Sequence, residues 1–135
     1  MGKEKEEKIN KLEDYLEKEK DIILAFLFGS YAKNRERDIS DVDIGIYTAV
    51  KWDLKKIHKV WDKLEEILGK NVDLIVMNEA RETIAWEALR GIPLKIKDKK
   101  FYYEYMLKIS REAEDFADFV IDFYRWREKV KQEVK

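Results

Sequence analysis

A chain of 135 residues that is 45% hydrophobic has room for one domain around one core. Its 28 basic and 29 acidic side chains nearly cancel to a net charge of −1, which gives no bulk attraction to nucleic acid or to an anionic membrane. With no cysteine, disulfides and thiolate metal sites are excluded, and the longest apolar run, residues 22–28, is far short of the roughly 18 residues of a membrane span.

Taken in chain order, residues 3–20 read as an amphipathic helix with Ile9, Leu12 and Leu16 on one face, broken at Asp21. Residues 22–28 form a continuous apolar run ending at Gly29, the pattern of a strand buried on both faces. Residues 30–34 open a short helix and NRERDIS reads as a loop. Residues 42–48 alternate, with Val42, Ile44 and Ile46 facing one way and Asp41, Asp43, Gly45 and Tyr47 the other. The spacing of Leu54, Ile57, Trp61, Leu64 and Leu68 predicts a helix over 53–68, with Gly69 as its C-cap. VDLIVM, residues 72–77, is a third strand. Asn78 is expected to cap a helix over 79–90 that stops at Gly91 and Pro93, and PLKIK is a short edge strand. From 99 to 134 there is no Gly or Pro, which predicts one long C-terminal helix. The expected fold is α+β, a small mixed sheet packed with helices, with residues 1–135 forming one domain.

The chemistry concentrates in FLFGSYAKNRERDISDVDIGIY, residues 26–47. Asp41 and Asp43 lie two positions apart on one strand, so they project from one face. Two bare carboxylates that close repel, and one should hold its proton unless a cation lies between them. All-oxygen ligands suit Mg²⁺, which binds through one or two carboxylates and substrate phosphates. Gly45 continues that face without a side chain and is expected to leave room for a ligand. Asp73 is an acidic residue in an apolar strand, costly unless it has a partner or a task. Gly29-Ser30, after a strand and at a helix start, presents backbone N–H groups and a hydroxyl to an anion, with Lys33, Arg35 and Arg37 nearby to add charge. A phosphate cradle beside a divalent-metal site is what phosphoryl or nucleotidyl transfer needs. His58, the only histidine, stands in no metal or base pattern and is expected to be structural or solvated.

Gly29-Ser30, ten intervening residues and then Asp41-Val42-Asp43-Ile44 resemble the signature of the DNA polymerase beta-type nucleotidyltransferase superfamily, with Asp73 matching its third carboxylate. Within it the chain most resembles the minimal nucleotidyltransferases (MNT), over about residues 5–110. The usual Gly-Ser-x-Ala-Arg-Gly appears here as Gly29-Ser30-Tyr31-Ala32-Lys33-Asn34. Lys33 keeps the charge without the guanidinium fork, and Asn34 must take the left-handed conformation glycine would supply. The resemblance implies two Mg²⁺ ions held by Asp41 and Asp43, with Asp73 on the catalytic ion and helping to deprotonate the acceptor. It implies Gly29, Ser30, Lys33 and Arg35 against the triphosphate of ATP.

The resemblance also implies a partner. MNT proteins pair with HEPN proteins, helical ribonuclease toxins, and act as antitoxins by transferring AMP to a toxin tyrosine. The HEPN signature, Arg, four to six residues, then His, is absent around His58, so the chain is expected to be the nucleotidyltransferase half. Two other functions stay open: an antitoxin that only covers its toxin, and nucleotidyl transfer to a small molecule. The far half of the last helix carries Ile109, Ala113, Phe116, Val120, Phe123 and Val130, with Phe119, Tyr124 and Trp126 beside them. Such an aromatic stripe suits a partner protein or a second copy of this chain. The N-terminal MGKEKEEKIN has no signal-peptide core, so a cytoplasmic location is expected. Abundant Lys and Glu with few Asn (4) and Gln (1) have the character of a hyperthermophile protein.

Overall fold

The computed structural model describes residues 2–35 and 41–112. In chain order they form α1 (Lys3–Lys18), β1 (Ile22–Phe28), α2 (Gly29–Ala32), β2 (Val42–Thr48), α3 (Leu54–Leu68), β3 (Val72–Val76), a 3-10 turn (Met77–Glu79), α4 (Glu82–Leu89), β4 (Ile92–Ile96) and α5 (Lys99–Glu112). The four strands make one sheet in the order β3-β2-β1-β4. β1 runs antiparallel to both β2 and β4, and β2 runs parallel to β3, so the sheet is mixed. Pro93 stands on edge strand β4, where its missing N–H costs no ladder bond inside the sheet.

Period-two alternation divides the core into two layers. Ala25, Leu27, Val42, Ile44 and Ile46 pack with α1 and α3 through Leu12, Leu16, Val60, Leu64 and Leu68. Leu24 and Phe26 face the other way, onto α4 and α5 through Trp86, Leu89, Tyr102 and Met106. Central β1 is therefore covered on both faces, as its unbroken apolar run predicts. Leu54 departs from expectation: it begins α3 but is 73% exposed, and the buried stripe instead runs through Val60, Leu64 and Leu68. Asp53 caps α3 by accepting from the Lys56 N–H at 2.8 Å, and Gly69 closes it at φ 66.

Two polar residues do unexpected structural work. Asn78 does not cap the following helix. Its amide is taken up by Thr48, donating to the carbonyl at 2.8 Å and accepting from the N–H at 3.0 Å, which extends the β2–β3 edge by one rung. The helix starts later, at Glu82. Lys95 is buried in β4, and its ammonium donates to the Leu16 and Glu19 carbonyl oxygens at 2.8 and 2.9 Å, adding a second donor to each beside the Glu19 and Ile22 N–H groups at the end of α1. Burial pushes the Lys95 ammonium below its ordinary pKa.

The β4 entrance is packed too tightly for a side chain. A Cβ on Gly91 would collide with the Leu27 carbonyl oxygen and lie 2.8 Å from Phe28 Cβ and 3.0 Å from Leu27 C. Backbone cannot rotate aside as a side chain can. Gly91→Ala is therefore expected to destabilise by about 1–3 kcal/mol, read as a lowered urea midpoint at unchanged slope. The expected helix over 99–134 is observed for Lys99–Glu112, where Tyr102, Tyr105, Met106 and Ile109 are buried. The rest of that helix, with its aromatic stripe, lies outside the described residues. Among the described residues no helix is long and apolar enough to cross a membrane.

Candidate active site

β1 ends at Phe28, and the chain turns at once into α2, a turn that Gly29 makes at φ 74. Phe28 is paired with Asp43 across the β1–β2 ladder, which sets the turn against the start of β2. There Asp43 lies so close to Gly29 that an added Cβ would collide with its carboxylate Oδ2 and stand 3.1 Å from its Cγ. Glycine is required here twice, for the left-handed backbone and for the carboxylate. In the parallel β2–β3 pair, Asp43 and Asp73 are register partners, so the third acidic residue joins the first two by strand pairing rather than by sequence proximity.

Asp43 is half-buried, whereas Asp41 and Asp73 are exposed. Burial, then Asp73, then Asp41 raise the Asp43 pKa above its ordinary value. The charged form of Asp43 is disfavoured, first by burial and then by Asp73 across the β2–β3 pair and Asp41 just before β2. Asp73, the second residue of edge strand β3, is exposed rather than buried in the apolar strand. Helix α3 holds the start of that strand: Trp61 Nε1 donates to the Val72 carbonyl oxygen at 2.6 Å, and Glu65 Oε2 accepts from the Val72 N–H at 2.8 Å. Neither residue carries a sequence signal of this role.

Among the described residues no three of His, Cys, Asp and Glu converge into a group able to hold an ion by themselves. A cation shared with substrate phosphates does not need such a cage. The donors at hand are carboxylate oxygens, the set suited to Mg²⁺, and the disfavoured charge of Asp43 is what a divalent cation would relieve.

The space expected beside Gly45 is not a ligand site. Ala88 Cβ and Met77 Sδ fill it, at 3.1 and 3.2 Å from where a Cβ would stand, so Gly45 serves helix packing. The cleft lies instead on the other side of Gly29. A cavity of about 270 Å³ is lined by Phe28, Gly29, Ala32, Lys33, Glu87, Arg90, Gly91 and Ile92. It holds Lys33 beside Gly29 and adds Arg90, a cation at the C-cap of α4 that the motif does not contain. The Arg35 N–H donates to the Ser30 carbonyl oxygen at 2.8 Å, folding the loop back over the turn, while the Arg35 side chain is exposed. Asn34 takes the left-handed backbone expected of it, at φ 57. Arg37 lies outside the described residues. His58 is exposed and stacks on Trp61.

Residues 10–100 match the family model described as polymerase beta, nucleotidyltransferase. A protein of Methanocaldococcus jannaschii provisionally named a protein adenylyltransferase is 39% identical over 54 residues, which is 40% of this chain and 58% of that relative. The matched stretch thus spans a little over half of the relative's length. Two solved structures share the fold. A chain of a toxin–antitoxin crystal structure with AMP-PNP is 22% identical with a TM-score of 0.62, covering 78% of this chain and 87% of its own. A chain of the tri-AMPylated Shewanella oneidensis HEPN toxin in complex with MNT antitoxin is 20% identical with a TM-score of 0.62, covering 90% and 98%.

Proposed function

The chain belongs to the polymerase beta nucleotidyltransferase family, and on that premise we propose that it transfers AMP from ATP to a tyrosine hydroxyl of a HEPN toxin, acting as its antitoxin. The observation that carries this reading is the placement of Asp43. It is half-buried, packed on Gly29 of the anion-binding turn, in register with Asp73 and acted on by Asp41. The likeness to chains from a complex holding AMP-PNP and from one holding an AMPylated toxin supports ATP as donor and a toxin as acceptor.

In this reading Asp41 and Asp43 hold Mg²⁺, with Asp73 on the catalytic ion. Gly29, Ser30, Lys33 and Arg35 bind the triphosphate. Bound Mg²⁺ supplies charge neutralisation on the phosphates and lowers the cost of ionising the attacking hydroxyl. Asp73 assists in taking the tyrosine proton. The phenolic oxygen then forms a bond to the α-phosphorus as the bond to pyrophosphate breaks. Asp73 lies exposed at a sheet edge, which leaves it open to an acceptor carried on another protein.

A growth assay tests this. Co-expression with a HEPN toxin is expected to restore growth, and Asp41→Asn is expected to abolish the rescue while the two proteins still co-purify. Full rescue by Asp41→Asn would replace enzymatic neutralisation with neutralisation by covering.

A further inference from the structure

Lys5 stands in the first turn of α1, where the positive end of the helix dipole disfavours a cation. Its ammonium leaves the helix for the Gly-Ser turn 26 residues away. It donates to the Tyr31 carbonyl oxygen at 2.6 Å and to Asn34 Oδ1 at 2.7 Å, and it lies 4.0 Å from the centroid of the Tyr31 ring. Both acceptors are at weak points. Tyr31 belongs to a helix of four residues, and its carbonyl oxygen otherwise accepts a long bond, from the Asn34 N–H at 3.3 Å. Asn34 is the non-glycine residue with positive φ among the described residues, a conformation that a side chain disfavours. Between these two contacts lies Lys33, whose N–H donates to the Gly29 and Ser30 carbonyl oxygens and whose side chain lines the cleft.

We propose that Lys5 is a positioning residue for the nucleotide. It holds α2 and the left-handed Asn34 in place, so that Lys33 is set at the cleft before the triphosphate arrives. Asn34 supplies Lys5 with an acceptor that glycine at this position could not, so the departure at residue 34 and the lysine on α1 act as a pair. The inference rests on the nucleotide site proposed above. Preorganisation of this kind acts on affinity, because the loop's ordering is no longer charged against binding.

The test measures the dissociation constant of AMP-PNP with Mg²⁺, alongside the melting temperature and the rate of tryptic cleavage after Lys33 and Arg35 without nucleotide. Lys5→Met is expected to weaken binding about tenfold, the scale of a lost hydrogen bond to a charged group. It is also expected to speed cleavage severalfold and to leave the melting temperature within about 2 °C, as for a surface substitution. Lys5→Arg, which keeps a cation able to donate to both acceptors, is expected to bind within about twofold of wild type. Equal binding by wild type and Lys5→Met would overturn the proposal. So would a Lys5→Met loss that Lys5→Arg shares and that tracks a lowered melting temperature, since Lys5 would then only stabilise α1. A folded wild-type protein that binds no AMP-PNP would overturn the nucleotide site itself and this role with it, a result distinct from the other two.

Discussion

Asp43→Asn is expected to abolish nucleotidyl transfer and, in metal-free buffer at neutral pH, to raise the melting temperature. The two effects have one cause. Burial, Asp73 and Asp41 push the Asp43 pKa up, so the folded state binds its proton more tightly than the unfolded chain does. For a group raised in this way, the stabilising contribution is fully present below the unfolded carboxylate pKa and is lost as pH rises through the folded value. At neutral pH the ionised carboxylate is therefore a cost to folding. Asparagine keeps the shape and removes the charge, which should raise the melting temperature by a few degrees, the scale of about 1 kcal/mol in a domain of this size. The pH profiles should separate, with the gain shrinking as pH falls towards the carboxylate range. On the proposed assignment of Asp43 to Mg²⁺, activity should go the other way: a metal ion contributes several kcal/mol to transition-state charge and about 1.4 kcal/mol is a factor of ten, which gives a loss of about 10³-fold. Added Mg²⁺ should raise the melting temperature of wild type and not that of Asp43→Asn. A variant that melts lower than wild type without metal would mean that the carboxylate is a structural partner and not an unrelieved charge.

Gly29→Ala is expected to cost both stability and activity. An alanine at φ 74 bears the left-handed strain, about 1–2 kcal/mol, and its Cβ has no room beside the Asp43 carboxylate. Either α2 must shift away from β2 or Asp43 must swing from its place, and either movement separates the Gly29-Ser30 turn from the carboxylates. A misplacement of about 1 Å costs about 10²-fold in rate, so transfer should fall at least that far. Combining Gly29→Ala with Asp43→Asn should give less than the sum of the two activity losses, because both disrupt one contact. Additive losses in that double variant would show that the turn and the carboxylate act independently.

Local pattern reached much of this site. The bounds of β1 and β2 follow from an apolar run closed by glycine and from a strict alternation, both of which are local signals. Asp41, expected on the strand with Asp43, stands one residue before β2, while the left-handed Asn34 follows from its stand-in for glycine. Long-range pairing was out of reach. That Asp43 and Asp73 meet depends on a parallel ladder joined through α3, and no residue near Asp73 announces its register. Gly45 misled for a related reason: an absent side chain on the carboxylate face suggested space, but Met77 and Ala88, both distant in sequence, fill it. Asn78 has the composition of a helix cap, and tertiary pairing with Thr48 outcompeted that local use. Lys5 lies in a charged amphipathic helix and Lys95 in a short edge strand, and neither pattern shows that their ammonium groups reach carbonyl oxygens 26 and 79 residues away.

The most direct test of a carboxylate–phosphate site that carries out AMP transfer is label transfer from ATP. The purified protein, Mg²⁺ and a HEPN toxin are mixed with ATP labelled at either the α- or the γ-phosphate, with Asp41→Asn/Asp43→Asn as control. The account predicts label on the toxin from α-labelled ATP only, lost in the double variant and lost without Mg²⁺. Label from the γ-phosphate would mean phosphoryl transfer. Label that survives in the double variant, or none at all from a protein that binds ATP and toxin together, would contradict the assignment of Asp41 and Asp43 to the chemistry.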